Sequence, residues 1–140
     1  MRSNIGRAGL GKTKRRRPSI AVKRVYEPAA ESDGIRFLVE RLWPRGVKKS
    51  DLKLGAWLRD AAPSTALRQW FGHEPARWEE FKRRYFSELE ELPTAWESIL
   101  TAAETGPVTL IFSSRDTEHN NVVALRSFLM QRPPIASHVP

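Results

Sequence analysis

Two short polar segments of this sequence carry side chains that are well suited to chemistry. The first is the run RLWPRG, in which Arg41 and Arg45 flank a Trp-Pro corner. Two guanidinium groups in one tight loop can hold a carboxylate or a phosphate through bidentate hydrogen bonds, and Trp43 can form an apolar wall beside them. The alternative is structural, with Arg41 paired to Glu40 or Asp60 and Trp43 packed in the core.

The second segment is RDTEHNN at residues 115–121, which follows an apolar run and is predicted to open a helix. A helix N-terminus attracts anions through its free N–H groups and its dipole. His119, one turn inside that helix, can act as a general acid or base with Asp116 as its orienting partner, and Asn120 can bind a ligand. The alternative is that Asp116 caps the helix while His119 and Asn120 satisfy local backbone groups.

The remaining candidates for chemistry carry weaker patterns. Ser64 directly precedes a predicted helix, so it either caps that helix or contacts a ligand, and no GxSxG elbow marks it as a nucleophile. His73 lies in a Gly-His-Glu-Pro turn, which is typical of a structural role. The three histidines lack metal-ligand spacing and there is no cysteine, so we predict no metal site, no disulfide and no cofactor.

A phosphate-loop pattern occurs near the start of the chain. The run GRAGLGKT at residues 6–13 matches GxxxxGK[ST] letter by letter. Phosphate binding by this motif requires a buried strand before the loop and a helix after it. Only five residues precede the run and a basic tract follows it, so we interpret the match as accidental.

The net charge of +8 is concentrated in the same segment. Residues 1–18 contain seven lysines and arginines and no acidic residue, whereas the remaining residues contain 17 basic and 16 acidic side chains. We therefore expect a disordered basic arm, able at most to contact nucleic acid weakly through phosphates, in front of a nearly neutral domain. The sequence shows no secretory signal and no membrane span, so we expect a cytoplasmic protein without membrane contact.

The apolar patterning predicts four strands and four helices between residues 19 and 134. The predicted strands cover residues 19–26, 35–42, 54–61 and 108–113. Residues 54–61 could instead form a helix turn, but we favour a short strand because Pro63 follows closely. The predicted helices cover residues 65–71, 75–92, 94–104 and 116–131. Ser64, a Thr94–Glu97 capping box, and Asp116 or Thr117 mark three of the helix starts.

Alternating strands and helices indicate an α/β fold, here a small three-layer domain with a mostly parallel sheet of about four strands and helices on both faces. Ligands of such sheets bind beyond the carboxyl ends of the strands. The segments 41–49 and 113–121 both follow strands, so we expect them to meet at one pocket. Residues 1–18 and 135–140 are expected to be a flexible arm and tail.

Several motifs in order resemble the YeaO-like branch of a bacterial family of domains of unknown function. They are IAVKR from Ile20, RLWPRG from Arg41, APST from Ala62, LR at residues 67–68, WFGH from Trp70, and Asp116 with the run EHN. The resemblance spans about residues 19–132 and excludes the arm. It implies a compact α/β fold with a shared pocket around six residues: Arg41, Trp43, Arg45, Asp116, His119 and Asn120.

From the residues we expect a pocket for a small phosphate- or carboxylate-bearing ligand, with possible acid–base chemistry. Arg45 would clamp the anion, Arg41 would assist it, and His119 would transfer a proton with Asp116 as orienter. The alternative is a non-catalytic nucleic-acid-associated or regulatory protein that uses the basic arm. The oligomeric state is left open by the sequence.

Overall fold

The computed structural model describes residues 19–132 and builds them around a four-stranded sheet. The strands are β1 (Ile20–Arg24), β2 (Ile35–Leu38), β3 (Ala56–Trp57) and β4 (Val108–Phe112). Their order across the sheet is β1-β4-β2-β3, and every neighbouring pair is parallel. The basic arm, the phosphate-loop match and the tail lie outside the described residues.

Within residues 19–132, five helices and four short 3-10 turns accompany these strands. The helices are α1 (Lys49–Leu52), α2 (Thr65–Phe71), α3 (Trp78–Glu90), α4 (Glu97–Ala103) and α5 (Asn121–Met130). The 3-10 turns are Glu31–Asp33, Arg59–Ala61, Pro75–Arg77 and Pro93–Ala95. None of the helices in the described part of the chain is long and apolar enough to cross a membrane. The predicted α/β class with a parallel sheet is confirmed.

The sheet is covered unequally on its two faces because successive side chains of each strand point to opposite sides. On one face, alternate strand residues such as Val108, Leu110 and Phe112 join a large core to which α2, α3, α4 and α5 all contribute. On the other face, Leu38 and Ile111 belong to a small cluster that α1 closes with Leu52. Helices therefore lie on both faces, as predicted, but most of the core is on one.

A buried polar network joins three strands on the less covered face. The Asp33 carboxylate accepts from Lys23 of β1 at 3.1 Å and from Arg36 of β2 at 2.6 Å. The hydroxyl of Thr109, on β4, donates to the Asp33 carbonyl at 2.7 Å. Arg36 also donates to the Leu52 carbonyl at 2.7 Å, so this network ties the strands to α1.

Helix α2 matches its predicted boundaries because both of its ends are set by local chemistry. Ser64 precedes it and accepts a hydrogen bond from the Leu67 N–H at 3.2 Å, which satisfies one free donor of the first turn. Gly72 ends it with a φ of 52°, a left-handed conformation that glycine adopts without steric cost.

The second strand was predicted to run to Leu42 and ends at Leu38 instead. Its neighbour β3 has only two residues, so the ladder has no partner beyond Trp57. The Trp57 indole N–H donates to the Glu40 carbonyl at 2.7 Å. This side-chain bond stands in place of a further backbone bond between the two strands. A strand is present within the predicted range 54–61 but covers only Ala56–Trp57, and the 3-10 turn Arg59–Ala61 occupies the end of that range.

The predicted capping box at the start of α4 is also wrong. Thr94 lies inside the 3-10 turn Pro93–Ala95, where the Trp96 N–H bonds to the Pro93 carbonyl at 3.1 Å. Trp96 therefore occupies the N-cap position and no side chain caps the helix. The proline sets a tight turn before the helix can begin, and this moves the threonine out of the capping position.

Candidate functional site

A cavity of about 500 Å³ lies beyond the carboxyl ends of β2 and β4, where the sheet topology places ligand sites. Phe71, Phe81 and Pro63 give it an apolar wall. Its charged and titratable lining comes from three parts of the chain: Glu40, Arg41, Arg68, His73, Arg115, Asp116 and His119. Of the segment 41–49 that was expected at this pocket, only Arg41 meets the segment after β4, together with Glu40 and the end of α2.

The loop after β4 is held by hydrogen bonds at both of its ends. The Arg24 guanidinium, from the edge strand β1, donates to the Ser114 carbonyl at 2.9 Å and to the Ser113 carbonyl at 3.2 Å. At the other end of the loop, Asn121 donates to the Val39 carbonyl at 2.8 Å. These bonds fix the loop against two strand ends, so the side chains between them have defined positions.

The start of the last helix differs from the prediction. The Asp116 carboxylate accepts from the N–H groups of Glu118 and His119, both at 2.9 Å, which closes a local turn instead of opening a helix. Asn120 is the actual cap, since its side chain accepts from the Val123 N–H at 2.9 Å. His119 consequently precedes α5 and does not lie within its first turn.

Asp116 and His119 form a side-chain pair on the cavity wall. The Asp116 Oδ2 atom lies 3.0 Å from His119 Nδ1, and the imidazole packs edge-on against the Trp78 ring at a centroid distance of 5.3 Å. The N–H groups of Glu118 and His119 lower the pKa of Asp116, so its carboxylate is ionised at neutral pH. Because the ionised Asp116 carboxylate accepts a hydrogen bond from Nδ1, the ring proton lies on that nitrogen. Nε2 is then available to a ligand.

Asn120 lies on the cavity but uses both ends of its amide within the protein. Its oxygen caps α5, and its nitrogen donates to the Asp116 carbonyl at 2.9 Å. The side chain is buried, with 3% of its surface exposed. In this geometry it positions the turn that carries His119.

Glu40 is a cavity residue that the sequence analysis did not select as functional. Its Oε2 atom accepts from the Ser113 backbone N–H at 2.9 Å and from the Ser113 hydroxyl at 3.1 Å. Burial raises the pKa of Glu40, against the opposing effects of Ser113, Arg68 and His73. A partly buried carboxylate is therefore held at the end of the sheet, facing a cavity that also contains arginines.

The raised pKa of Glu40 makes a prediction about stability. A carboxyl that binds its proton more tightly when folded destabilises the fold as pH rises from its ordinary value of 4.5 through its folded pKa. We expect Glu40→Gln to gain stability relative to wild type as pH rises above 4.5, with the advantage absent below that value. Urea unfolding of both proteins at pH 4 and pH 7 measures this. If the stability difference between Glu40→Gln and wild type is the same at both pH values, the raised pKa of Glu40 is contradicted.

The three arginines of the cavity differ in how they are used. Arg41 donates to the carbonyls of Pro63 at 3.0 Å and Ala62 at 3.1 Å, and it lies 3.6 Å from an oxygen of Asp60. It therefore fixes the loop before α2. The side chains of Arg68 and Arg115 form no hydrogen bond or ion pair with any residue in the described range 19–132, and both are exposed at the cavity.

Trp43 and Arg45 lie away from this cavity, although the sequence grouped them with Arg41. The Trp43 indole donates to the Val47 carbonyl at 2.8 Å and packs edge-on against Trp57. Arg45 is exposed, and its carbonyl accepts from the Tyr26 hydroxyl at 3.2 Å. The structure thus brings Arg41 together with the loop after β4 and leaves the other half of the RLWPRG run on a different surface.

Ser64, the remaining sequence candidate, caps α2 and contacts α3. Its hydroxyl donates to Glu88 Oε2 at 2.5 Å, and its backbone N–H donates to Glu88 Oε1 at 2.9 Å. The serine itself is not part of the cavity lining, although its neighbour Pro63 is. Its contacts are those of a residue that fixes the start of a helix.

These contacts predict the effect of removing the Ser64 hydroxyl. Ser64→Ala loses the cap of α2 and one bond to Glu88, which should lower the free energy of unfolding by about 1 kcal/mol. Phosphate affinity of the folded protein should stay unchanged, because the hydroxyl does not face the cavity. Denaturant unfolding and calorimetric titration test the two parts. An affinity loss without a stability loss would instead indicate direct ligand contact.

Arg68, His73 and Glu40 are site residues that the sequence did not indicate as functional, and Arg115 was part of the second predicted segment without an assigned role. Arg68 and His73 do belong to two of the motifs behind the family resemblance, the pair LR and the run WFGH, and this was the available signal. His73 has a φ of 60°, so the turn after α2 holds it in a left-handed conformation. Within residues 19–132, no three histidine, aspartate or glutamate side chains are grouped as metal ligands would be.

Comparisons with known proteins give the family. A model described as the inactive DUF488-N3 subclade matches residues 19–134. The chain is 40% identical over 111 residues to the uncharacterized protein YeaO of Escherichia coli (strain K12), which covers 79% of this chain and 96% of YeaO. It is 36% identical over 117 residues to the uncharacterized proteins Mb3100c of Mycobacterium bovis and Rv3073c of Mycobacterium tuberculosis (strain H37Rv), covering 84% of this chain and 98% of each relative.

No solved structure matches the chain significantly. The family match covers every residue that forms the sheet and the cavity, and the two identities extend over nearly the whole length of the relatives. The chain therefore belongs to the YeaO-like family of domains of unknown function, in the subclade described as inactive DUF488-N3.

Proposed function

We propose that the cavity beyond β2 and β4 binds a small ligand that carries a phosphate or carboxylate group. The observation that carries this proposal is the state of Arg68 and Arg115. Both line the cavity, and neither guanidinium group forms a hydrogen bond or an ion pair with another residue of the described range 19–132. Arg41, Glu40 and Asp116, in contrast, already have partners in the protein. Two unpaired guanidinium groups at one cavity favour an anionic ligand.

The size and composition of the cavity support a small-molecule ligand. A volume of about 500 Å³ is within the usual range of small-molecule sites. Such sites combine an apolar wall with a few polar groups that set orientation, and here Phe71 and Phe81 form the wall. The arginines would bind the anionic end of the ligand, and the aromatic side would cover its carbon frame.

His119 would bind the same ligand through Nε2. Asp116 fixes Nδ1 and Trp78 fixes the ring, so the imidazole is held in one orientation. When the ring carries a proton on both nitrogens, Nε2 donates to an anion beside Arg68 and Arg115. The same pair is equipped for proton transfer, but the description of the subclade as inactive favours a binding role without turnover.

Calorimetric titration of the full-length protein with inorganic phosphate tests the proposal. At fixed ionic strength and pH 7, we expect saturable binding at one site per chain, accompanied by a rise in the melting temperature. Acetate and sulfate should compete with phosphate, since the recognition is of charge and geometry. Lack of saturable binding up to about 10 mM phosphate, which corresponds to less than about 3 kcal/mol of affinity, would contradict the proposal.

The alternative function, association with nucleic acid, depends on residues 1–18, which lie outside the described residues. Their seven basic side chains are the charge that would neutralise phosphates of DNA or RNA. Salt-dependent binding that disappears when residues 1–18 are deleted would support this function. Absence of binding at low salt would exclude it. Neither result affects the cavity, which is built from residues 40–121.

Replacing Lys12 distinguishes the phosphate-loop pattern from the cavity. If the pattern is accidental, Lys12→Ala leaves the phosphate affinity of the protein within about twofold of wild type, because no charge at the cavity changes. Titration of the variant and the wild type in the same buffer measures this. A loss of 10-fold or more would mean that the N-terminal motif binds the anion, and it would overturn our interpretation of that segment.

A further inference from the structure

We propose that Glu40 determines which anions the cavity prefers, by accepting a hydrogen bond from a hydroxyl group of the ligand. The preferred ligands would then be small hydroxylated phosphates or carboxylates. This inference rests on the proposed anion binding and adds the second group that the ligand must carry.

The hydrogen bonds of Glu40 leave one of its two oxygens available. Both donors of Ser113 reach the same atom, Oε2, at 2.9 and 3.1 Å. No residue in the described range donates to Oε1, and the side chain makes no ion pair there. An ionised carboxylate accepts about four hydrogen bonds, so Oε1 retains its full accepting capacity beside the cavity.

A carboxylate at this position stays unfavourable even with the two hydrogen bonds from Ser113. Burial disfavours its charged form, and its charge opposes an anion held by Arg68 and Arg115. Its contact with Ser113 needs only one acceptor oxygen, which a glutamine would also supply. A donor on the ligand offsets both costs, because a hydrogen bond to an ionised acceptor is stronger than one between neutral groups.

The surrounding charges favour a hydroxyl over an ammonium group as this donor. Arg68 and His73 both lie close enough to act electrostatically on Glu40, and Arg41 and Arg115 line the same cavity. A ligand ammonium would approach this cationic set, whereas a hydroxyl donates to Glu40 without adding charge. Ser113 holds the carboxylate at Oε2 and thereby fixes the direction in which Oε1 accepts.

Matched phosphate probes test this assignment on the full-length protein. We expect wild type to bind sn-glycerol 3-phosphate about 10-fold more tightly than n-propyl phosphate, which has the same chain without hydroxyls. The dimethyl ether of glycerol 3-phosphate keeps the oxygens but donates no hydrogen bond, and it should bind like propyl phosphate. In Glu40→Gln the Ser113 N–H holds the amide oxygen, the NH₂ group faces the cavity, and the preference should fall below about threefold.

Glu104→Gln, a change at an exposed residue outside the cavity, is the control and should keep the full preference. Equal binding of the three probes to wild type would overturn the role of Glu40 while leaving anion binding intact. A preference that persists in folded Glu40→Gln would also overturn it. Failure of every probe, and of inorganic phosphate, would instead contradict the proposed function. If Glu40→Gln does not fold, the ether comparison on wild type decides whether a donor is recognised.

Discussion

Arg68→Ala is expected to weaken phosphate binding about 10- to 100-fold, and the double change Arg68→Ala with Arg115→Ala is expected to remove measurable binding. A hydrogen bond to a charged group contributes about 1.5–3 kcal/mol, and every 1.4 kcal/mol is a factor of ten in affinity. Neither side chain holds another described residue in place, so the fold should tolerate both changes. Calorimetry measures the affinity, and circular dichroism with thermal melting checks the fold.

Arg45→Ala is the matched control for this prediction. Arg45 is an exposed arginine of the same chain that does not line the cavity, yet the sequence alone named it as the clamp. Its replacement should change phosphate affinity less than about twofold at fixed ionic strength, as expected for an exposed, solvent-screened charge outside the cavity lining. If Arg45→Ala weakened binding as much as Arg68→Ala does, the site would include the RLWPRG loop and the cavity assignment would be wrong.

Asp33→Ala is expected to produce the largest loss of stability, about 3–5 kcal/mol. Arg36 is 3% exposed and its ion pair is with Asp33, so removing the carboxylate leaves a buried guanidinium without a counter-charge. One of its nitrogens, Nη2, already lacks a hydrogen-bond partner. Lys23 loses its partner in the same change, and strands β1 and β2 lose the side-chain bridge between them.

The acid dependence of stability gives an independent check on Asp33. Burial alone would raise the pKa of Asp33. Hydrogen bonds from the Ala30 N–H, Lys23 and Arg36 outweigh burial and lower this pKa. Stability from such a group is present above its ordinary value of 3.8 and is lost as pH falls through the lower folded value. The stability difference between wild type and Asp33→Ala should therefore shrink as pH falls below 3.8.

Urea unfolding at several pH values measures both effects, with Asp51→Ala as the control. Asp51 is an exposed aspartate on α1 without a side-chain partner among the described residues, and its replacement should change stability by less than about 0.5 kcal/mol. A loss below about 1 kcal/mol for Asp33→Ala would mean that the polar network is replaceable, and it would contradict the structural role given to it here.

The parts of the fold that the sequence predicted well are those with local signals. The α2 helix was predicted to the residue, because Ser64 caps it and Gly72 ends it through short-range chemistry. The strand β4 was predicted to within one residue, since a continuous apolar run between Pro107 and Ser113 is typical of a strand buried on both faces. The parallel sheet followed from the alternation of such elements.

The start of α5 shows why local signals can also mislead. Asp116 and Asn120 are both good capping residues, and the sequence favoured the first. In the structure, the contacts of Arg24 and Asn121 anchor the loop from both sides, which places Asn120 at the cap and leaves Asp116 to close a turn. These contacts join residues 90 and 82 positions apart, so no local pattern reveals which residue caps the helix.

Only part of the candidate site was predicted, because segments that are distant in the sequence form it. The sequence correctly brought the segment after β4 close to Arg41, because parallel strands end at one edge of the sheet. It did not select Arg68, which belongs to the exposed face of a helix and reaches the cavity only through the packing of α2. It did not select Glu40 either, because the burial that sets its properties is a result of tertiary structure.

Anomalous diffraction from crystals soaked with tungstate, a heavy analogue of phosphate, tests the central claim most directly. We expect one strong tungsten peak inside the cavity, in hydrogen-bond contact with the guanidinium groups of Arg68 and Arg115 and near Nε2 of His119. The peak should be absent from crystals of the Arg68→Ala, Arg115→Ala protein. An empty cavity with tungstate bound at Arg45 or on residues 1–18 would contradict the account.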